Sequence, residues 1–478
     1  MYARIMEKQY QSYQIADFSL NASFESVGPE IMEQLKRHLL DSAGSIIVAQ
    51  KSTTIHKLAA ALKHLSAGGT CSVPMLGKLP ADRAAEWFTA LIRYPDFMDN
   101  YIGKEATCHP SDNIGSLLAA GLCRETSGRE FLLAMAIGYA IECRLVEETP
   151  VMIKGFDHTA LLAYSLTASA GRLLGLSHKQ MAHAIGMAGS GFVPLVTSRA
   201  AYTYEWKGLA SSMVALGCFN IIFMAREGLT GPLSIFEGPK GFEQILDMKL
   251  KHEWTTSDFQ LIKKCSLKTY NAEVHTQSSL EALTELRANN ELDIAAIESI
   301  DITTFLTAYH IVGGGVYGER KQVYSKEQAD HSLPYVAAVA VLDGQVYPEQ
   351  LLPERINQPD VQALLQKVHV HTVSPLHRPL PVAGFLDPYT DAYPEKLKTK
   401  VTISAGKAKF ICEKNDYHGF YTRPFSWDDT ISKFKKLTDQ IISADHQQQI
   451  VELIQHFENH RVADLVSLLS AGVEEIAY

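Results

Sequence analysis

The sequence predicts a mainly α-helical protein with an α+β region in its second half, and three observations carry that prediction. From about Pro29 to Gly228, apolar residues recur at helical spacing in segment after segment, divided by glycine and serine. Past Cys265 the pattern changes to period-two alternation, the mark of half-buried strands. After Trp427 the chain returns to amphipathic helix. A length of 478 residues suits two or three domains. The expected division is a helical domain over 1–265, an α+β domain over 266–420, and C-terminal helices over 421–478 that pack back on the first domain.

The elements follow in order. Gly28-Pro29 sets a proline near a helix start, and apolar positions at helical spacing extend that helix to Ala49. Further helices are expected over Phe131 to Val146, Leu161 to Leu174, Lys179 to Gly189 and Lys207 to Arg226. Several are apolar nearly all round and rich in Ala, Gly and Ser, which suits the middle of a large bundle. Glu298 to Phe305 and Lys367 to Thr372 alternate as strands do, and Lys396 to Ser404 with Lys407 to Glu413 flank Ala405-Gly406 as a hairpin. Helices lie between them at Gln277 to Ala288 and Leu333 to Leu342. The last helices run through Phe434, Leu437 and Ile441, then Ile450 to Leu469.

Composition narrows the class. Apolar residues make up 46% and charged residues 20%, an ordinary globular balance. The formal charge is −9 with no basic run, so no nucleic-acid partner is expected. An acidic chain that binds an anion must gather its cations locally, which gives each Lys or Arg of a site added weight. The seven cysteines are scattered without a C-x-x-C pair, as in a reducing compartment. The opening residues lack the apolar run of a signal peptide. Gly208 to Ala225 is uncharged over 18 residues, but its Ser211, Ser212, Gly217 and Asn220 favour a buried core helix over a membrane span. A cytoplasmic protein with no membrane partner is expected.

Four places hold titratable residues in loop-like settings. In the first, Asp96 and Asp99 are spaced to share a helical face at i, i+3, and His109 precedes a proline. The plainer account is that Ser111 or Asp112 caps the next helix and His109 is a surface residue. The second is Lys154-Gly-Phe-Asp-His-Thr159, where Asp157 or Thr159 caps a helix and His158 meets the positive end of its dipole. The third is Lys207, opening an otherwise apolar helix. It is either functional or a lysine that snorkels to water. The fourth spreads over Lys268 to His275, Val316 to Lys321 and Asp330 to Tyr335. Dinucleotide, Walker and H-E-x-x-H signatures are missing, and the cysteine spacing does not supply an iron–sulfur cluster.

Taken in order, these segments resemble one family. Ala90-Leu-Ile-Arg, Asp96-Phe-Met-Asp99, His109-Pro-Ser-Asp-Asn-Ile-Gly115, Asp157-His158, Trp206-Lys207-Gly208, Ala272-Glu-Val-His275 and Asp330-His-Ser-Leu-Pro-Tyr335 occur as they do in the MmgE/PrpD family. Gly228 to Phe242, and Tyr417-His-Gly-Phe-Tyr with Lys433-Phe434, also resemble it, and the likeness runs from about Ala16 to Leu469. The resemblance implies a helical domain built from the N-terminal half plus the C-terminal tail, with an inserted α+β lid. It implies no cofactor, no metal, and a homodimer. It assigns catalysis to Asp96, His109, His158, Lys207 and Tyr317, at a site between the two domains. Substrate contacts are expected from Asn100, Lys268, His275, Arg320 and Arg423. Asn100 departs from the threonine usual there, which bears on substrate choice.

The segments around His109 and Asp330 most resemble 2-methylcitrate dehydratase. They imply a hydro-lyase acting on 2-methylcitrate or a similar small tricarboxylate. Histidines fit the acid and base roles because imidazole titrates near neutrality. Lys207 fits carboxylate binding, with Arg320, Lys321 or Arg423 as further cations. Asp96 either orients a histidine or is itself the base. The same groups would serve a cis-aconitate-type decarboxylase or an epimerase. An inactive carboxylate-binding or scaffold relative is the non-enzyme alternative.

Overall fold

The computed structural model describes residues 10–472 except 67, 201, 255–257 and 374–386. Helix accounts for 57% and strand for 10%, so the mainly α expectation holds. The chain divides into two compact units. The first holds residues 1–196, 208–265 and 426–478, and the second holds 197–207 and 266–425.

The first unit is helical. Its elements are α1 (Gln11–Asn21), α2 (Pro29–Ala49), α3 (Thr53–Leu65), β1 (Cys71–Val73), β2 (Gly77–Leu79), α4 (Ala81–Arg93), β3 (Tyr101–Ile102) and β4 (Thr107–Cys108). They continue with α5 (Asp112–Arg124), α6 (Gly128–Glu148), α7 (Thr159–Leu173), α8 (His178–Gly191) and α9 (Trp206–Arg226). Trp206 and Lys207, the first residues of α9, group with the second unit. Pro29 stands in the first turn of α2, as the Gly28-Pro29 signal predicts. Helix α1 and both short hairpins, β1–β2 and β3–β4, have no counterpart in the sequence reading. Strands of two or three residues are too short to show a period.

Helix α5 packs on α4 and α7, and α6 packs on α7. The α4–α5 approach depends on Gly115, where a Cβ would sit 2.3 Å from the backbone nitrogen of Thr89. That closeness sets the first turn of α5 beside the last turns of α4, where the charged residues of the site lie. Helix α9 is long and apolar enough to cross a membrane, with a mean hydropathy of 1.8, yet 61% of that window is buried inside the protein. Its Cys218 Sγ lies 3.8 Å from the Ala163 carbonyl of α7, as expected of a core helix.

The second unit holds α10 (Gln277–Asn289), β5 (Ile297–Thr304), α11 (Leu306–Val312), α12 (Leu333–Asp343), α13 (Pro359–Gln366), β6 (Val368–Thr372), β7 (Thr399–Ala405) and β8 (Ala408–Lys414). The strands form one sheet in the order β6-β5-β7-β8, parallel only between β5 and β6. Ile300 pairs with Val368 on one side and Ile403 on the other, and all three are buried. The alternating runs of the sequence thus became strands with one face on the core. Three helices, α14 (Trp427–Thr438), α15 (Ala444–Gln455) and α16 (Val462–Ser470), return to the first unit, where α14 packs on α2.

Candidate functional site

In the first unit the candidates sit on the segment between α4 and α5 and at the start of α7. Helix α4 stops at Arg93 because Pro95 has no N–H to continue the ladder. Asp96 and Asp99 therefore do not share a helical face. Asp96 lies in a turn with φ +58°, a left-handed conformation that costs a non-glycine residue energy and persists where neighbours hold it. Arg93 Nη1 donates to Asp96 Oδ1 at 3.0 Å, and its Nε lies 3.8 Å from Asp112 Oδ2. Burial opposes the charge of Arg93, but Asp96, Asp112 and Asp157 outweigh it and raise its pKa. Ser211 Oγ donates to the same Asp112 Oδ2 at 2.6 Å.

The hairpin β3–β4 pairs Tyr101 with Cys108, which brings Asp99 alongside His109. His109 is 8% exposed, and its Nδ1 lies 2.8 Å from the Asp99 carbonyl oxygen. A carbonyl only accepts, so Nδ1 carries the proton and Nε2 of the neutral ring is left with the basic lone pair. The Asp99 carboxylate is itself held: Oδ1 accepts the Ser111 N–H at 3.0 Å, and Oδ2 lies 2.7 Å from His38 Nδ1. Burial would push this carboxyl up, yet His38 and Ser111 hold it below the usual carboxylate range. Ser111 makes no side-chain cap for α5, contrary to the plainer reading of that segment.

The N-cap of α7 is His158, with no side-chain cap bond, and not Asp157 or Thr159; Asp157 Oδ1 instead accepts from the Thr159 N–H at 2.9 Å and hydroxyl at 2.8 Å just before the helix. That places His158 at the helix start, 3% exposed, with Nε2 3.8 Å from the same oxygen. The rings of His109 and His158 meet edge to face, with centroids 5.2 Å apart. Asn100 is fully buried, and its Nδ2 lies 3.4 Å from the Met98 carbonyl.

The second unit gathers the cations. Lys207 is 2% exposed, so it does not snorkel to water. Its Nζ donates to Asp330 Oδ1 at 3.1 Å, and His331 Nδ1 meets the same oxygen at 2.8 Å. Lys326 Nζ takes Oδ2 at 2.9 Å. Against the cost of burial, Lys207, Lys326 and His331 hold the Asp330 carboxyl far below its ordinary range. Glu273 donates its backbone N–H to the Asp330 carbonyl at 2.9 Å, and its Oε1 lies 2.7 Å from His275 Nδ1. His275 Nε2 meets the Tyr393 hydroxyl at 3.0 Å. Burial opposes ionisation of Glu273, but His275, His331 and Lys268 lower its pKa to about 2.

Lys268 is fully buried. Arg320 is 5% exposed, with Nε donating to the Ile311 carbonyl at 2.9 Å; burial lowers its pKa against the pull of Glu273 and Asp330. Tyr317 is half-buried, and burial raises its phenol pKa. Arg423 is committed on the surface to Glu281 at 2.6 Å and Asp416 at 2.7 Å.

The structure thus joins Asp96, His109, His158 and Asn100 to one buried region of the first unit. It sets Lys207, Lys268, His275 and Arg320 around the carboxylates of the second. Sequence reasoning missed Arg93, Asp112, His38 and Glu273 as functional neighbours. It also left Asp330 and His331 without roles, although their segment had been singled out. Arg93 and Asp112 had one available signal, since charged residues flank the segment that carries Asp96 and His109.

Comparison with known proteins gives a family. The MmgE/PrpD N-terminal domain matches residues 13–255, and the MmgE/PrpD C-terminal domain matches residues 270–459. Cis-aconitate decarboxylase from Homo sapiens is 23% identical over 462 residues, which is 92% of this chain and 90% of that protein. Mitochondrial 2-methylcitrate dehydratase from Yarrowia lipolytica is 25% identical over 293 residues, 58% of this chain and 56% of its own. 2-Methylcitrate dehydratase from Salmonella typhi is 25% identical over 305 residues, 60% and 62% of the two chains.

Proposed function

This chain belongs to the MmgE/PrpD family, and from that premise we propose that it is a hydro-lyase that dehydrates 2-methylcitrate or a similar small tricarboxylate. The relatives named above are enzymes, two dehydratases and a decarboxylase. The observation that carries the reading is the pair of buried imidazoles, His109 and His158, with ring centroids 5.2 Å apart. Eliminating water beside a carboxylate requires a base for the carbon-bound proton and an acid for the departing hydroxyl. His109 is suited to be the base, since its Nδ1 proton is directed to the Asp99 carbonyl and Nε2 takes the incoming proton. His158 is then the acid. The electron pair of the broken C–H bond forms the double bond, and hydroxide leaves as water on taking the proton of His158.

Charge that builds on the substrate carboxylate needs fixed cations. In this reading Lys207 supplies one, with Lys268 and Arg320 as further contacts. Lys207, Lys268, Arg320 and Lys326 lie about the buried carboxylates Asp330 and Glu273, with Glu319 beside Arg320. Such a gathering of buried cations within a chain of net charge −9 suits a polyanionic substrate. Asp96, held by Arg93, orients the histidines in this reading, and Tyr317 remains a candidate proton donor.

A second reading is decarboxylation of cis-aconitate. Its support is coverage: the human decarboxylase aligns over 92% of the chain, whereas the two dehydratases align over 58% and 60%. Incubating the purified protein separately with 2-methylcitrate, citrate and cis-aconitate, and weighing the products by mass spectrometry, distinguishes the two. Loss of water from 2-methylcitrate supports the first reading. Loss of carbon dioxide from cis-aconitate, without hydration or dehydration, moves the protein to the second.

A further inference from the structure

The segment that carries Asp96, Asp99 and Asn100 is gripped from behind by residues to which neither the sequence nor the family likeness assigns a role. His38 and Asp41 stand three positions apart on α2, and so on one face of it. His38, 3% exposed, binds Asp99 Oδ2 at 2.7 Å and meets the Tyr139 ring edge-on with centroids 5.9 Å apart. Asp41, 2% exposed, binds Lys433 Nζ of α14 at 2.7 Å. The same Nζ donates to the Phe97 carbonyl at 2.7 Å and lies 3.9 Å from the centroid of the Phe97 ring. The segment from Asp96 to Asp99 therefore has a buried side-chain clamp on Phe97 and another on Asp99, and Asp96 between Arg93 and these clamps keeps a left-handed φ.

From this geometry we infer that His38 and Lys433 are positioning residues that fix the Asp96–Asn100 segment and, through the Asp99 carbonyl, the ring orientation of His109. The chain of contacts is continuous. His38 holds the Asp99 side chain, that side chain takes the Ser111 N–H, and the Asp99 carbonyl takes the Nδ1 proton of His109. Releasing His38 leaves Asp99 Oδ2 without that donor and the residue held through Oδ1 on the Ser111 N–H, so its carbonyl can shift against the His109 ring. A buried carboxylate oxygen that loses its donor is also costly, and the segment would move to find another partner. Misplacement of a reacting group by about 1 Å lowers turnover on the order of a hundredfold.

The inference rests on the proposed role of His109 as base, so its test carries one readout that needs no substrate. Two variants are compared with the whole protein: His38→Phe, which keeps the ring and removes the donor, and His38→Asn, whose amide can stand where Nδ1 stood. With the acid that wild type converts, His38→Phe is expected to lower kcat by roughly ten- to a hundredfold with little change in KM. His38→Asn should restore most of that loss. Amide hydrogen exchange in the peptide spanning Phe97 to Asn100 should quicken in His38→Phe and return towards wild type in His38→Asn. If His38→Phe keeps wild-type kcat and exchange, the positioning role is overturned. If both variants lose activity equally while exchange is unchanged, His38 acts elsewhere and the inference also fails. If wild type converts none of the acids, the hydro-lyase reading fails, and the exchange comparison still decides whether His38 clamps the segment.

Discussion

His109 Nδ1 points at the backbone carbonyl of Asp99, 2.8 Å away, and not at a carboxylate. A carbonyl fixes which nitrogen holds the proton without adding a negative charge that would bind the imidazolium tightly. In the proposed reaction His109 can thus take a proton and later give it up. His109→Ala and His158→Ala should each lower turnover at least about a hundredfold, the usual loss for an acid or base. The pH–rate profile should be bell-shaped around neutrality, and thermal midpoints should stay near wild type. Variants that unfold would mark these as structural core histidines.

Lys207 and Asp330 form a buried pair that also holds His331 and Lys326. Lys207→Met leaves Asp330 with two partners and removes the candidate carboxylate contact, so activity should be lost while the fold survives. Asp330→Asn leaves buried cations without their counter-charge, and breaking a buried pair in this way costs about 3–5 kcal/mol. Thermal melting of the two variants checks the order: Asp330→Asn should melt well below Lys207→Met.

Much of the fold was legible because it was local. The Gly28-Pro29 start produced α2 from Pro29 to Ala49, and the Ala405-Gly406 turn produced the β7–β8 hairpin, with Ala405 pairing with Ala408. The alternation in Glu298 to Phe305 marked β5 for the same reason. The surroundings of the candidate site were not legible in this way. His38 meets Asp99 across 61 positions and Lys207 meets Asp330 across 123, and no local period records such contacts. Asp96 and Asp99 read as one helical face because their spacing allows it, but the missing N–H of Pro95 decides otherwise. The hairpin that carries His109 has strands of two residues, too few to alternate visibly.

Glu142 supplies a pH prediction. It is wholly buried on α6, where burial and then Asp112 push its carboxyl well above the ordinary 4.5, against hydrogen bonds from Asn113 and Ser165. The folded protein therefore keeps a proton that the unfolded chain releases near pH 4.5. The stability linked to this group is fully present below that pH and is lost as pH rises towards the folded value, at about 1.4 kcal/mol per pH unit. Glu142→Gln should flatten this slope and exceed wild type in stability at pH 8. Denaturant titrations at pH 5 and pH 8 check it. An unchanged slope would mean Glu142 is ionised in the fold.

A homodimer is proposed from the family likeness, and exposed apolar side chains of the first unit support it. Met213 and Met224 of α9 are 37% and 46% exposed, and Leu229 just beyond is 52% exposed. Apolar groups of this size left at a surface favour association. Light scattering at micromolar concentration should give twice the 52.9 kDa chain mass, and a monomer mass would remove the proposal.

The most direct test of the account is the reverse reaction in deuterium oxide, run on exhaustively chelated and dialysed protein. Wild type should hydrate the alkene tricarboxylate and place deuterium on the carbon beside the newly formed carbinol carbon, as read by NMR. His109→Ala should lose that incorporation about a hundredfold or more while keeping its fold. Activity that disappears on chelation and returns with a divalent metal would contradict acid–base catalysis by these side chains alone. Release of carbon dioxide from cis-aconitate with no deuterated hydration product would contradict the hydro-lyase assignment.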